Sequence, residues 1–226
     1  MTRAGLVVFD LDGTLIDSSA DLAAAVNATL ARVAPAAPAL PLERIRSFVG
    51  HGAGALVQRT LAEAGLPLRA EDVLPVFLEV YRGHLLDTTR LYPGVAEALK
   101  DLEGYSLAVL TNKPGDMSRA ILEGLGVARR FTRICGPEDV PARKPDPAGL
   151  RQLMEEARAT PGETAMVGDS PVDVRTGRAA GVLTIGVSYG LDPEGLRAEP
   201  PDVTLDDLRE LPERLRRPRP PTSVLP

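Results

Sequence analysis

Short, continuous apolar runs recur along this chain, and each of them ends in or is followed by a polar or glycine residue. The clearest are GLVVFD at 5–10, SLAVLT at 106–111, TAMVGD at 164–169 and VLTIGV at 182–187, and FTRICG at 131–136 is weaker. Runs that lack the apolar–polar alternation of a half-exposed strand are typical of parallel strands covered by helices on both faces. The chain therefore predicts a buried parallel sheet.

Helical patterns separate these runs over the second half of the chain. Apolar residues recur at helical spacing within 93–102, 115–126, 146–157 and 171–181. Strand and helix thus alternate from residue 90 to residue 188, which is typical of a doubly wound α/β domain. We expect a Rossmann-like core made of residues 1–17 and 89–212.

Residues 18–88 interrupt this alternation, because they contain helical patterns and no convincing strand. The patterns are SADLAAAVNATLARV at 19–33, AGALVQRTLAEAG at 53–65 and EDVLPVFLEVYRGHLL at 71–86. Ser18 followed by Asp21 resembles a capping box at the start of the first helix. We expect an all-helical cap domain inserted into the α/β core, with its apolar stripes packed against one another.

Composition and charge limit the binding partners and the cellular setting that we expect for this chain. The net charge of −5 argues against a nucleic acid or an anionic membrane as the main partner. The sequence contains neither an apolar stretch of membrane-spanning length nor an export signal before the first strand. A single cysteine, Cys135, rules out an intrachain disulfide, so a reducing, cytoplasmic setting fits best. Both a monomer and a homodimer stay open, and the Pro- and Arg-rich segment 213–226 predicts a disordered tail.

Four polar clusters fall at or just after the ends of predicted strands. They are DLDGT at 10–14, TNK at 111–113, RKPDP at 143–147 and GDSPVD at 168–173. In open α/β sheets, ligands bind beyond the carboxyl ends of the strands, so these clusters can converge on one site. Their four aspartates, Asp10, Asp12, Asp169 and Asp173, offer only oxygen ligands, which suits a hard cation such as Mg²⁺.

Other residues in these clusters have the chemistry of a phosphate site. Lys144 supplies a positive charge, the Thr111 hydroxyl supplies a neutral donor, and Gly13 allows close approach of the backbone. A carboxylate attacking phosphorus would be repelled by roughly 4 kcal/mol per unit-charge pair at ~4 Å and an effective dielectric near 20. Lys144 and a divalent ion would offset that repulsion. Turns and helix caps would account for one or two of the four aspartates, but not for all four together with Lys144.

The segments DLDGTLIDS, TNK, RKPDP and GDSPVD, in this order, resemble the four motifs of the haloacid dehalogenase superfamily of phosphohydrolases. The resemblance implies that Asp10 is the nucleophile that forms an aspartyl-phosphate. It implies that Asp12 is the general acid for the leaving oxygen and then the base that activates water. Dehalogenases of this superfamily lack the second acid, so Asp12 indicates a phosphatase or a phosphomutase.

The same resemblance implies a phosphate site and a metal site. The expected phosphate contacts are Gly13, Thr111, Asn112 and Lys144. The expected Mg²⁺ site contains Asp10, the backbone carbonyl of Asp12, Asp169 and Asp173, of which the last orients either the metal-bound waters or Lys144.

Longer segments resemble bacterial phosphoglycolate phosphatases. They are DLDGTLIDSSADLAAAVN, FVGHGAGALVQR, LYPGVAEALKDL, LAVLTNKP and RKPDPAGL. The resemblance implies Mg²⁺-dependent hydrolysis of 2-phosphoglycolate to glycolate and phosphate. Another small-molecule phosphatase, acting on a phosphosugar, a nucleotide or a pyrophosphate, is the main alternative. A phosphomutase and a non-catalytic phosphate-binding protein are further alternatives.

The glycine-rich stretch VGHGAG at 49–54 opens a predicted helix of the cap. Backbone N–H groups around Gly50 and Gly52, or the His51 side chain, are candidates for contacting the distal carboxylate of the substrate. A flexible turn with an exposed histidine is the alternative, and we favour it for His51 alone. Lys113 has two equal interpretations, a residue that attracts anions and an ordinary surface lysine.

Overall fold

A computed structural model describes residues 5–216, and a parallel β-sheet is the centre of this part of the chain. Eight strands occur within these residues. They are β1 (Leu6–Phe9), β2 (Ile16–Asp17), β3 (Arg90–Leu91), β4 (Ser106–Leu110), β5 (Arg133–Cys135), β6 (Thr164–Gly168), β7 (Leu183–Val187) and β8 (Val203–Leu205). Six strands form the sheet in the order β5-β4-β1-β6-β7-β8, and every neighbouring pair is parallel. The predicted Rossmann-like α/β core is thus confirmed, and β8 is an edge strand that the sequence did not predict.

Ten α-helices occur within residues 5–216. They are α1 (Ser19–Val33), α2 (Leu42–Arg46), α3 (Ala53–Glu63), α4 (Ala70–Arg82), α5 (Val95–Asp101), α6 (Gly115–Gly124), α7 (Ala148–Ala157), α8 (Pro171–Ala180), α9 (Pro193–Ala198) and α10 (Leu211–Arg216). None of the helices in this range is both long and apolar enough to cross a bilayer.

The two faces of β1 belong to different apolar clusters. Val7 and Phe9 pack in a cluster that includes residues of α5 and α6, whereas Leu6 and Val8 pack in a cluster that includes residues of α7. All four side chains are buried. Side chains alternate between the faces of a strand, so a strand covered on both faces needs apolar residues at every position. This requirement explains the continuous apolar run.

Helices α1 to α4 lie between β2 and β3 in the chain. These two strands pair with each other in antiparallel orientation, outside the six-stranded sheet. The segment that contains the four helices therefore begins and ends at adjacent points. Residues of these helices, among them Val26, Leu56 and Phe77, share an apolar cluster distinct from the two beside the sheet. Met117 of α6 also belongs to this cluster, which places the helices against the edge of the core.

The predicted capping box of Ser18 and Asp21 is wrong. Ser18 is the N-cap residue of α1 but makes no side-chain capping bond, because its hydroxyl donates to Oδ1 of Asp12 at 2.5 Å. Asp21 accepts hydrogen bonds of 2.5–3.1 Å from the backbone N–H groups and hydroxyls of Thr88 and Thr89. Both side chains therefore have partners in the tertiary structure, and Asp21 joins the two ends of the helical insertion.

The predicted disordered tail begins too early. Residues 213–216 belong to α10, whose first residue, Leu211, is fully buried. Leu208 and Leu211 belong to the apolar cluster beside the sheet, and Leu215 packs against it. These leucines anchor the chain where the Pro- and Arg-rich composition predicted no structure. Residues 217–226, which hold the rest of the predicted tail, lie outside the described residues.

We expect Asp21→Ala to lower the free energy of unfolding by about 2 kcal/mol, because the N–H groups of Thr88 and Thr89 lose their acceptor. Burial alone would raise the pKa of Asp21, but the hydrogen bonds from these threonines lower it below its usual value. The contribution therefore needs the carboxylate, and it disappears as the pH falls through this lowered pKa. Urea unfolding at neutral pH and at low pH measures the difference.

Asp101→Ala is the matched control, because Asp101 is exposed at the end of α5. Its effect should stay within about 0.5 kcal/mol. Equal losses for the two variants at neutral pH would contradict a special role for Asp21.

Candidate active site

The polar clusters meet at the carboxyl ends of three adjacent strands. Asp10 follows β1, Thr111 follows β4 and Asp169 follows β6, and β1 lies between the other two strands. Phe9 is in register with Val109 and Val167, so the three strands end at nearly the same level. Later parts of the chain add β4 on one side of β1 and β6 on the other. Open α/β sheets form their ligand crevice at the carboxyl ends of strands where the strand order changes direction in this way.

Lys144 joins two of the aspartates. Its Nζ lies 2.8 Å from Oδ1 of Asp10 and 2.6 Å from Oδ1 of Asp173, and all three residues are buried. Burial alone would lower the pKa of Lys144, but the carboxylates of Asp10 and Asp173 raise it above its usual range. Oδ2 of Asp173 accepts hydrogen bonds from the hydroxyl and the N–H of Ser170 at the start of α8. Asp173 is therefore fixed by a capping box and in turn fixes Lys144.

Asp10, Asp169 and Asp173 form a buried acidic triad. Each contributes a carboxylate oxygen, and these oxygens lie within 4.8 Å of one another. Burial raises the pKa of Asp10 to about 6 against the opposing effect of Lys144. Burial and the neighbouring carboxylates raise the pKa of Asp169 well above its usual value. Three oxygen donors with excess negative charge fit a hard divalent cation, so the triad can hold a metal ion.

Asp169 is enclosed by the backbone of two loops. Gly13 has a φ of +87°, and a Cβ at this position would lie 2.1 Å from Oδ2 of Asp169. A Cβ on Gly190 would lie 2.2 Å from the Cβ of Asp169. The N–H of Leu191 donates to Oδ2 of Asp169 at 2.6 Å. Only glycine fits at these two positions, because the carboxylate is packed directly against the backbone.

The side chain of Asp12 has different partners from the triad. Nζ of Lys113 lies 2.9 Å from Oδ1 and 3.2 Å from Oδ2 of Asp12, and Oδ1 also accepts the bond from Ser18. Lys113 is 6% exposed, so its interpretation as a surface lysine is wrong. Its Nζ also donates to the hydroxyl of Tyr81, on α4, at 2.6 Å. The segment TNK gave a signal for Lys113, but no sequence pattern indicated Tyr81.

Thr111 and Asn112 are buried beside these acids. Oγ1 of Thr111 accepts a hydrogen bond from the N–H of Lys113 at 3.1 Å. Nδ2 of Asn112 donates to the carbonyls of Gly50 and Lys144, both at 3.1 Å. Within residues 5–216, Oδ1 of Asn112 is buried and has no hydrogen-bond partner. Asn112 thus holds the glycine-rich loop of the insertion against the loop that carries Lys144.

A small cavity lies between the strand ends and helices α1, α3 and α4. Its polar side consists of Asp10, Asp12, Thr111, Asn112 and Lys113, and its apolar side includes Leu22, Leu56, Phe77 and Leu78. The cavity measures about 40 Å³, which is room for roughly three waters at ~10–15 Å³ each. The site is thus built for a small group beside the acids.

The residues proposed to contact the substrate's distal carboxylate, Gly50, His51 and Gly52, line two neighbouring cavities. Gly50 and Gly52 line the small cavity. His51 is exposed and lines a neighbouring cavity that also contains Asp169, Arg175 and Asp192. Asp12 and Gly50 line both cavities, whereas Gly52 lines only the first and His51 only the second.

Comparison with known proteins agrees with this geometry. The family model described as Haloacid dehalogenase-like hydrolase matches residues 7–187. A phosphoglycolate phosphatase of Pseudomonas putida is 41% identical over 220 residues, which cover 93% of this chain and 79% of that protein. One of Rhodospirillum rubrum is 40% identical over 226 residues, which cover 95% and 92% of the two chains.

A solved structure has the same fold over nearly the whole chain. It is described as a predicted phosphoglycolate phosphatase from Haemophilus somnus and has a TM-score of 0.85 and 32% identity. The alignment covers 95% of this chain and 99% of that one. The resemblance indicated by the four motifs is confirmed, and this chain belongs to the haloacid dehalogenase-like hydrolase family.

Proposed function

We propose that this protein is a Mg²⁺-dependent phosphatase that hydrolyses a small phosphomonoester, with 2-phosphoglycolate as its substrate. The observation that carries the proposal is the pairing of two acids with two buried lysines, Asp10 with Lys144 and Asp12 with Lys113. Both acids line one small cavity. One acid lies in a cation-binding triad and the other lies outside it. This separation supplies a nucleophile and a proton donor at the same site.

The residues present fit a magnesium ion. Asp10 and Asp169 offer buried carboxylate oxygens, and burial together with the neighbouring carboxylates raises the pKa of each. The backbone carbonyl of Asp12 is the third proposed ligand. Asp173 adds charge to the site and orients Lys144. When bound, the ion would neutralise carboxylate and phosphate charge and stabilise the charge that develops on the phosphoryl oxygens.

The side chains of the chain itself divide the reaction into two steps. Asp10 attacks phosphorus, so a bond forms between its oxygen and phosphorus while the ester P–O bond breaks and Asp12 protonates the leaving oxygen. Asp12 then accepts a proton from water, which attacks the aspartyl-phosphate, releases phosphate and restores Asp10. Lys144, the Thr111 hydroxyl and backbone N–H groups near Gly13 and Asn112 hold the phosphoryl oxygens.

Residues 18–88 act in this proposal as a helical cap on a core made of residues 1–17 and 89–212. Support comes from the separate apolar cluster of α1 to α4 and from the cavity that these helices share with the strand ends. A cap of this kind excludes water from the reacting phosphate. In this proposal, the hydrogen bonds from Thr88 and Thr89 to Asp21 hold the two ends of the cap together next to the core.

The choice of 2-phosphoglycolate rests on two observations. The relatives at about 40% identity are named phosphoglycolate phosphatases. The cavity of about 40 Å³ between Asp12 and the apolar residues of α1, α3 and α4 suits a leaving group of few atoms. N–H groups of the loop at Gly50 and Gly52 are candidates for contacting the distal carboxylate. Action on this small metabolite in the cytoplasm, as a monomer or homodimer, completes the proposal.

Phosphate release from a panel of monoesters tests the substrate. With Mg²⁺, 2-phosphoglycolate should give the highest kcat/KM, ahead of sugar phosphates, nucleotides and pyrophosphate, and EDTA should abolish release. A larger substrate that is preferred over 2-phosphoglycolate would overturn the substrate assignment alone. Absence of release from every compound would overturn the proposed enzyme function.

Asp10→Asn should lower kcat by at least about 1,000-fold, because the amide cannot attack phosphorus. Circular dichroism and thermal unfolding should show that the fold is retained. Asp101→Asn is the matched control at an exposed position and should keep full activity. Turnover by Asp10→Asn within tenfold of the wild type would remove Asp10 as the nucleophile.

Mg²⁺ affinity should fall as the pH drops through 6, because a proton competes with the ion for Asp10, whose pKa burial raises to about 6. One group with this pKa is about one-quarter ionised at pH 5.5, so affinity should drop at least ~4-fold from pH 7.5. Protonation of Asp169 adds to the drop. Calorimetric titration at both pH values gives the ratio, and Asp169→Asn should bind more weakly at each. Equal wild-type affinities at the two pH values would contradict the raised pKa of Asp10, and wild-type affinity in Asp169→Asn would remove Asp169 as a ligand.

A further inference from the structure

Lysine is rare in this chain, and its placement is selective. Only three of the 26 basic residues are lysines, and two of them, Lys113 and Lys144, are buried at the site. The third, Lys100, is exposed on α5. Lys144 contacts Asp10 and Asp173, whereas Lys113 contacts Asp12 and Tyr81. Each acid of the segment DLD thus has its own ammonium group.

The bonds to Asp12 restrict its carboxylate. Lys113 donates to both oxygens, and Ser18 donates to Oδ1 from another direction. The Asp12 side chain remains 12% exposed, while that of Lys113 is only 4% exposed. The acid therefore keeps access to the cavity, and the lysine holds it from the protein side.

Tyr81 connects this arrangement to the helical insertion. Its hydroxyl oxygen accepts a hydrogen bond from Nζ of Lys113 at 2.6 Å, and Nζ lies 4.5 Å from the centre of its ring. The ring is buried and stacks on Phe77, one turn earlier on α4. The ammonium group is therefore fixed on one side by Asp12 of the core and on the other by α4.

We propose that Lys113 is a positioning residue for proton transfer, which holds the Asp12 carboxyl group toward the leaving oxygen with the support of Tyr81. The inference rests on the proposed function and deepens it. As the ester P–O bond breaks, Asp12 gives its proton to the leaving oxygen, and the nearby ammonium group stabilises the carboxylate that remains. In the second step the same carboxylate takes a proton from the attacking water.

Leaving-group acidity separates this role from a structural one. An alcohol that is a strong acid leaves without a proton, whereas a weakly acidic alcohol needs Asp12 in position. Ethyl, 2-chloroethyl and 2,2,2-trifluoroethyl phosphates differ strongly in the acidity of the alcohol and little in size. Their kcat/KM values report the step in which the ester bond breaks.

Lys113→Met should lower kcat/KM about 100-fold for the ethyl ester and less than about 10-fold for the trifluoroethyl ester. Asp12→Asn should show the same steep dependence. Adding Lys113→Met to Asp12→Asn should cause no further loss, because Lys113 acts through Asp12. Lys100→Met should match the wild type on all three esters.

Tyr81→Phe supplies a second variant if Lys113→Met does not fold, since it removes only the hydroxyl that binds Nζ. It should shift the three esters in the same direction by a smaller factor. Equal losses on all three esters, or a change confined to KM for 2-phosphoglycolate, would overturn the positioning role. A wild-type protein inactive on every ester would instead overturn the proposed function on which the inference rests.

Discussion

The mutual repulsion of buried carboxylates is the constraint that organises this structure. Asp10, Asp169 and Asp173 place oxygens within 4.8 Å of one another where water is largely excluded. Such an arrangement persists only if the surrounding structure holds the acids together and supplies positive charge. Lys144 supplies part of that charge, but one ammonium group beside three carboxylates leaves a remainder of negative charge. Burial, and then the neighbouring carboxylates, raise the pKa values of Asp10 and Asp169. The remainder is what a divalent cation would neutralise.

The central sheet holds the mutually repelling carboxylates in place. Asp10 is fixed at the end of β1, a central strand whose residues are buried on both faces, and its N–H donates to the carbonyl of Val167 on β6. Asp169 follows β6 and is enclosed by Gly13 and Gly190. Because these positions belong to the hydrogen-bonded sheet or pack against its loops, the acids cannot separate without breaking the most buried part of the core. The fold itself thereby maintains this arrangement of like charges.

Sequence reasoning succeeded where the signal was local. Apolar runs predicted β1, β4, β6 and β7, and helical spacing predicted the main helices, because each pattern is contained within one element. The position of an acid directly after a strand also indicated which residues would meet, since parallel strands share a carboxyl edge. The four motifs added a family resemblance that the comparisons confirmed.

The failures have one physical cause, which is competition from partners distant in sequence. Ser18 and Asp21 have the spacing of a capping box, yet Asp12 and the segment 88–89 bind them instead. The segment TNK predicts a surface lysine as readily as an anion-attracting one at Lys113, because nothing in it shows that α4 covers this side chain. The start of the tail was misplaced because three leucines at 208, 211 and 215 outweigh a local composition typical of disorder.

The insertion and the core meet at the site largely through polar contacts. Asn112 donates to Gly50, Arg46 donates to the carbonyl of Gly190, and Lys113 donates to Tyr81. The apolar cluster of α1 to α4 is separate from those beside the sheet, apart from Met117, which belongs to it, and Leu85, which packs against both. Hydrogen bonds contribute only about 1 kcal/mol each in net terms, because water replaces them when they break. These three bonds therefore add little net free energy between residues 18–88 and the strand ends, while Asp21 joins the two ends of that segment. Of these contacts, only the one between Lys113 and Tyr81 leads directly to Asp12, so α4 supports the acid without contacting the triad.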